Sequence, residues 1–112
     1  MSLLKLIETA PGNFSLLLNT GTTPVDGLIK QLGHEPNGYF WEGIAQLLVK
    51  ADDPALEDRF SYDSEGSMFC AYGEDRAALE TLSTLMRTAI EDADRMRQLI
   101  TTAEANGFEF DD

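Results

Sequence analysis

The chain holds one histidine and one cysteine, His34 and Cys70, so catalysis or metal binding has to start from these or from the carboxylates. A general base needs an orienting acid and a substrate cleft. His34 stands in a turn sequence, Glu35-Pro36-Asn37-Gly38 following it, with neither in view, and reads as a surface or capping histidine. Cys70 lies within the apolar run Met68-Phe69-Cys70-Ala71-Tyr72, where a thiol is a small core residue with a raised pKa rather than a nucleophile. A lone cysteine forms no internal disulfide, and with a single histidine it builds no zinc site. Gly66 and Gly73 flank that run without the spacing or the following lysine of a phosphate loop. Asp52 and Asp53, or Asp63 and Glu65, have the chemistry to hold calcium, but neither segment fits the twelve-residue loop that does so. No catalytic residue, metal or cofactor is expected.

What the carboxylates do have is number and placement. Twenty acids face eight lysines and arginines, a net charge of −12. Residues 1–51 are nearly neutral, with Glu8, Asp26, Glu35 and Glu42 against Lys5, Lys30 and Lys50. The remaining sixteen acids meet five arginines, so the second half carries −11, concentrated in 52–65 and from Glu91 onward. Such a surface repels phosphate backbones, which argues against nucleic acid or an anionic membrane as partner and for a basic protein surface. Solubility alone is a second reason for an acidic exterior. The candidate contact residues are Asp52, Asp53, Glu57, Asp58, Asp63 and Glu65, with Tyr62 as the aromatic anchor among them.

Hydrophobic spacing supplies the frame that must hold them. Leu3–Glu8 and Phe14–Asn19 are apolar runs joined through Pro11-Gly12-Asn13, a β-hairpin. Thr23-Pro24 opens a short helix, threonine capping and proline at the first turn, with Val25, Leu28, Ile29 and Leu32 on one face and Gly33 as its left-handed stop. Asn37-Gly38 suits a turn with positive φ, and from Tyr39 a second helix carries Phe40, Ile44, Leu47 and Leu48 as its stripe, Trp41 packing beside it. Gly43 within that helix costs about 1 kcal/mol against alanine, which a close approach by another backbone would offset. Asp52-Asp53-Pro54 ends the helix. Arg59–Asp63 and Ser67–Tyr72 make a second hairpin, Phe60 and Tyr62 on one side, Ser61 and Asp63 on the other. Both faces of the second strand are apolar, which fits a central strand or one whose outer face meets a partner, a second copy of the chain included. From Glu74-Asp75 a helical period runs to Ala103, broken near Glu91-Asp92, and Asn106-Gly107 closes it. Phe108 and Phe110 then dock while the acids of the tail stay wet.

The expected fold is α+β: an antiparallel sheet of about four strands from two β-hairpins, helices packed on one face, in the order ββααββα(α). A chain of 112 residues is read as one domain, 1–112, with 107–112 as an acidic tail. No apolar run reaches the roughly 18–20 residues of a membrane span, and Met1-Ser2-Leu3-Leu4-Lys5 lacks the pattern of a secretory signal, so a cytoplasmic home is expected.

Two segments carry a further likeness. Gly33-His34-Glu35-Pro36-Asn37-Gly38-Tyr39-Phe40-Trp41-Glu42-Gly43-Ile44-Ala45, and Phe60 through Asp63-Ser64-Glu65-Gly66-Ser67-Met68-Phe69-Cys70-Ala71-Tyr72-Gly73, resemble the bacterial Immunity protein 51 family over roughly residues 30–105. Members of that family are antidotes of polymorphic toxin systems, in which a cell makes a small protein that neutralises its own secreted toxin domain. The resemblance puts Gly38, Tyr39, Trp41, Glu42, Phe69 and Tyr72 on recognisable positions. It implies a stoichiometric inhibitor of a cognate toxin, not an enzyme, and the acids named above would occlude the toxin's basic site. Two other classes stay open on the residues alone. A small-molecule-sensing or regulatory domain requires an apolar pocket with convergent polar groups between sheet and helices. An enzyme requires Glu42, His34 or Cys70 to converge.

Overall fold

The computed structural model describes residues 3–110. Strands β1 (Leu4–Ala10) and β2 (Asn13–Asn19) form the first hairpin, and Gly12 at its turn has a φ of 80°. Helices α1 (Asp26–Gln31) and α2 (Gly38–Asp52) follow, then a single 3₁₀ turn at Pro54–Leu56. Strands β3 (Ser61–Tyr62) and β4 (Met68–Gly73) make the second hairpin, and α3 (Arg76–Glu91) and α4 (Ala93–Ala105) complete the chain. The sheet order is β1-β2-β4-β3 with every neighbouring pair antiparallel, so the two hairpins join through β2 and β4, in register from Phe14 opposite Gly73 to Asn19 opposite Met68. This is the α+β architecture the patterning predicts.

Local chemistry explains most of the element ends. Gly33 takes a φ of 90°, and the His34 N–H donates back to the Ile29 carbonyl at 3.1 Å, closing α1. Asn37 caps α2 by accepting from the Phe40 N–H at 2.9 Å, and Asp75 caps α3 through the Ala78 N–H at 3.0 Å. Asp92 breaks the long helical period as expected: it is extended, and its carboxylate accepts from the Asp94 and Arg95 N–H groups to start α4.

Four expectations need correction. Thr23 does not cap α1; its hydroxyl donates to the Asp26 carboxylate, and the cap position, Val25, offers no side-chain acceptor. The second hairpin's outer strand is only two residues long, because Arg59 closes the turn that follows Leu56, Phe60 only links that turn to the strand, and Asp63 belongs to the next loop. Gly38 does not adopt positive φ. It is the first residue of α2 and is pressed against β4, where a Cβ would stand 2.8 Å from the Met68 carbonyl carbon. Gly43 makes room for a side chain rather than a backbone: a Cβ there would meet the Phe110 ring at 2.8 Å.

The helices cover one face of the sheet. Leu16, Leu18, Phe69 and Ala71 point into the core with Phe40, Trp41, Ile44 and Leu48 of α2, Leu79, Leu82 and Met86 of α3, and Met96 and Ile100 of α4, all fully buried. Each such aliphatic or aromatic side chain contributes about 1.5–3 kcal/mol relative to exposure. Trp41 is a packed anchor, as expected. Its indole N–H meets no acceptor among the described residues, a cost of about 1–3 kcal/mol set against the ring's burial. The tail closes over this layer: Phe110 stacks on Phe40 at 4.9 Å and meets the His34 ring edge-on at 4.9 Å, with Phe108 against it at 5.0 Å. The terminal acids Asp111 and Asp112 lie outside the described residues.

Candidate functional site

The acids picked out in the sequence do not form one patch. Asp52 ends α2 and is gripped by Arg95 of α4, whose guanidinium donates to both carboxylate oxygens at 3.0 and 3.1 Å. Its charge is largely answered within the chain. Asp53 links α2 to the 3₁₀ turn: its N–H donates to Val49 and its carbonyl accepts from Leu56. Glu57 and Asp58 follow, both exposed, on the connector that leads to β3. Tyr62 turns its ring toward the helices, packed edge-on against Phe60 at 5.7 Å and near Phe69 at 6.1 Å. Burial, and then the Glu42 carboxylate, push its phenol well above the usual tyrosine range. Asp63 and Glu65 belong to the other side of the sheet, near Cys70.

Glu57 and Tyr62 stand at a half-open groove of about 790 Å³ between α2, α4 and the connector, and Asp52 touches it only through Arg95. Its apolar wall includes Leu47, Val49, Leu99 and Phe108; Lys50, Gln98 and Thr102 supply polar groups. Arg95 is the best-placed cation there, but Asp52 and the Gln98 carboxamide, the latter at 3.3 Å, already hold it. Nothing in the sequence marks Arg95 as a partner of Asp52. The two are 43 positions apart, and only the packing of α4 beside α2 joins them.

Cys70 corrects another expectation. It is not in the core: β4 places Phe69 and Ala71 inward and turns Met68, Cys70 and Tyr72 to the face without helices. Its thiol is nonetheless raised above the ordinary range, by partial burial first and by Asp63 second, with a hydrogen bond to Ser15 opposing them. His34 lies on the helix side, its Nε2 3.3 Å from Glu104 and its ring against Phe110. Glu42 acts on Tyr62. The three residues an enzyme would need to combine are therefore held in different surroundings. Among the described residues no cluster of histidine, cysteine and acids is arranged to hold a metal, and no helix is long and apolar enough to cross a membrane.

The open face carries exposed apolar side chains that the strand pattern left unassigned. Ile7 is 43% and Tyr72 44% exposed, and the cross-strand register puts both in one row with Ser15 between them. The signal was present as the alternation Leu4/Leu6 against Lys5/Ile7, which sets Ile7 opposite the core.

The family model of Immunity protein 51 aligns with residues 4–105, both hairpins and all four helices included. The chain belongs to the Immunity protein 51 family. No curated protein and no solved structure is significantly similar to it. The match extends the resemblance, first apparent from about residue 30, back through the first hairpin. Within this family member, Gly38, Trp41 and Phe69 act on the fold, through close approach or complete burial. Tyr39 and Tyr72, each more than two-fifths exposed, are the aromatic positions left to the surface.

Proposed function

We propose that this Immunity protein 51 member is a cytoplasmic, non-enzymatic antidote, one domain over residues 1–112, that neutralises a cognate bacterial toxin domain by forming a stoichiometric complex with it. The observation that carries the reading is the family match over residues 4–105. The charge distribution supports its mechanism. With −11 in the second half of the chain, the surface draws a cationic site toward it and slows release, and it repels nucleic acid and anionic membrane.

The contact set we assign is Asp53, Glu57 and Asp58 on the connector as the principal charges, with Asp52, Tyr62, Asp63 and Glu65 flanking them. Glu57 and Asp58 make no ion pair among the described residues, while Asp52 is already paired with Arg95. Unpaired exposed carboxylates bring their full attraction to a cationic partner.

Co-expression with the toxin domain encoded beside its gene tests this directly. Cells that die with the toxin alone should survive when this protein is present, and the two should co-purify at low salt. Death in the presence of a well-expressed antidote would refute the reading.

The groove between α2 and α4 supports a second reading, a ligand-responsive domain. It stands behind the first because the groove is broad and open and its arginine is already neutralised. Titration with small carboxylates and phosphates, followed by thermal unfolding, would bring it forward if any raised the melting temperature.

A further inference from the structure

The helix-free face of the sheet is patterned to meet its own copy. The cross-strand register lays two rows from β1 to the β3 edge, beside a shorter one of Asn19, Met68 and Glu65. One reads Lys5, Leu17, Cys70, Asp63, the last set by the Asp63 N–H donating to the Cys70 carbonyl at 3.0 Å. The other reads Ile7, Ser15, Tyr72, Ser61. The first row is positive at one edge, negative at the other and apolar between. The second alternates large and small.

We propose that two copies of the chain pair through this face about a two-fold axis parallel to the strands, midway between β2 and β4. That operation reverses strand order, so each row meets its own reverse. Lys5 of each copy then stands over Asp63 of the other, and Leu17 over Cys70. Ile7 stands over Ser61, and Tyr72 over Ser15, large against small in every case. A two-fold axis across the strands would oppose Lys5 with Lys5 and Asp63 with Asp63 if it lay along the first row, and would set Lys5 over Ile7 and Asp63 over Ser61 if it lay between the rows, so in neither place do the opposite charges meet. The register thus selects one dimer geometry, isologous as a closed pair must be.

Two observations point to a second copy rather than another occupant. Lys5 and Asp63 make no ion pair among the described residues, so each is open to the opposite charge that the two-fold brings over it. The exposed Ile7 and Tyr72 are each matched by a small residue of the same row, a self-complementarity that an unrelated partner does not require. Three strand spacings of about 4.8 Å and some five residues of about 3.4 Å give a face of about 250 Å² per copy, about 500 Å² for the pair, the size of a weak, transient contact rather than of a permanent dimer. Association over so small a face is weak and shows only at high protein concentration, and the −12 charge on each copy weakens it further at low salt. The connector acids Asp53, Glu57 and Asp58 are not part of either row. Asp63 is shared with the flank of the proposed toxin contact, but the pairing rests on the sheet register and does not depend on that assignment.

Sedimentation velocity at physiological salt tests the pairing with three proteins: the wild-type chain, Lys5→Asp and Asp63→Lys. Wild type should shift with concentration from one 12.4 kDa chain to two. Each reversal alone should weaken association by about tenfold or more, because two attractive pairs become repulsive. Mixed in equal amounts, the two variants should form a heterodimer as tight as wild type, since the exchanged charges again oppose one another. Both substituted positions lie outside the core, and unchanged circular dichroism and urea midpoints would confirm that the variants fold. A wild-type chain that stays monomeric to about 0.5 mM, or a mixture that fails to associate, overturns the proposal. If the wild type is monomeric and Tyr72→Asp abolishes capture of the neighbouring toxin domain, the face belongs to the toxin and the dimer is refuted.

Discussion

Gly38 opens α2 directly against the backbone of Glu65: a methyl group at its Cα would run into the Glu65 and Met68 carbonyl oxygens. The Gly38 N–H donates to the Gly66 carbonyl at 3.1 Å across the same contact. Helix start and hairpin turn are thereby fastened together with no side chain between them.

Gly38→Ala should therefore cost about 2–4 kcal/mol, since neither partner is a side chain that can swing away. Gly27→Ala, within α1 and with nothing inside 4 Å of the added methyl, should stabilise by about 0.5–1 kcal/mol through helix propensity. Urea denaturation of both variants separates the two effects. Equal effects would mean that the α2–β4 contact is looser than described.

The tail supplies a second test. Phe110 occupies the space left by the missing side chain of Gly43 and stacks on Phe40. Phe110→Ala should destabilise by about 1–3 kcal/mol. Gly43→Ala should destabilise the wild type but stabilise the Phe110→Ala background, where the methyl meets no ring and the helix gains about 1 kcal/mol. The double-mutant cycle should give a coupling above 0.5 kcal/mol, and additivity would show that the tail does not dock there.

These contacts mark the boundary of what the sequence discloses. Gly33 as a helix stop, the Asp92 break, the two hairpins and the stripe of α2 all follow from local spacing, because caps and amphipathic periods act within a few residues. Gly38 and Gly43 were recognisable as exceptions, but their reasons were not, since the groups that crowd them come from β4 and from the end of the chain. The same holds for the site. The excess of acid was plain from composition, while the withdrawal of Asp52 by Arg95 and the turning of Cys70 away from the core depend on how α4 and β2 pack. Strand alternation limited Cys70 to one of two faces. Only the β2–β4 register decides which.

Burial and the Glu42 charge raise the Tyr62 phenol in the folded protein above its unfolded value near 10. The folded state thus keeps a proton that the unfolded chain releases. This contribution is fully present below about pH 10 and is lost as pH rises toward the folded value, at up to about 1.4 kcal/mol per pH unit. Cys70 acts in the same direction from a somewhat lower pH. Tyr62→Phe should flatten the alkaline decline in urea midpoints between pH 9 and 11 while leaving those at pH 7 to 8 unchanged in slope. An unaltered alkaline decline would exclude Tyr62 as its source.

Within the acidic connector the charges should not weigh equally in toxin binding. Asp52→Asn removes a charge that Arg95 already balances, so it should change affinity by less than about threefold. Glu57→Gln combined with Asp58→Asn removes unpaired charge and should weaken binding by about tenfold or more at low salt, with the difference shrinking as salt rises. Calorimetric titration of each variant against the toxin domain distinguishes them; an Asp52 effect larger than that of the double variant would move the contact to the α2–α4 groove.

Neutralisation is read by adding the purified protein to the active toxin domain encoded beside its gene and following toxin activity against molar ratio. Toxin activity should be lost completely at a fixed stoichiometric ratio, in a complex whose dissociation constant rises as salt is increased. Full toxin activity in the presence of excess folded protein, with no complex at any salt concentration, would contradict it.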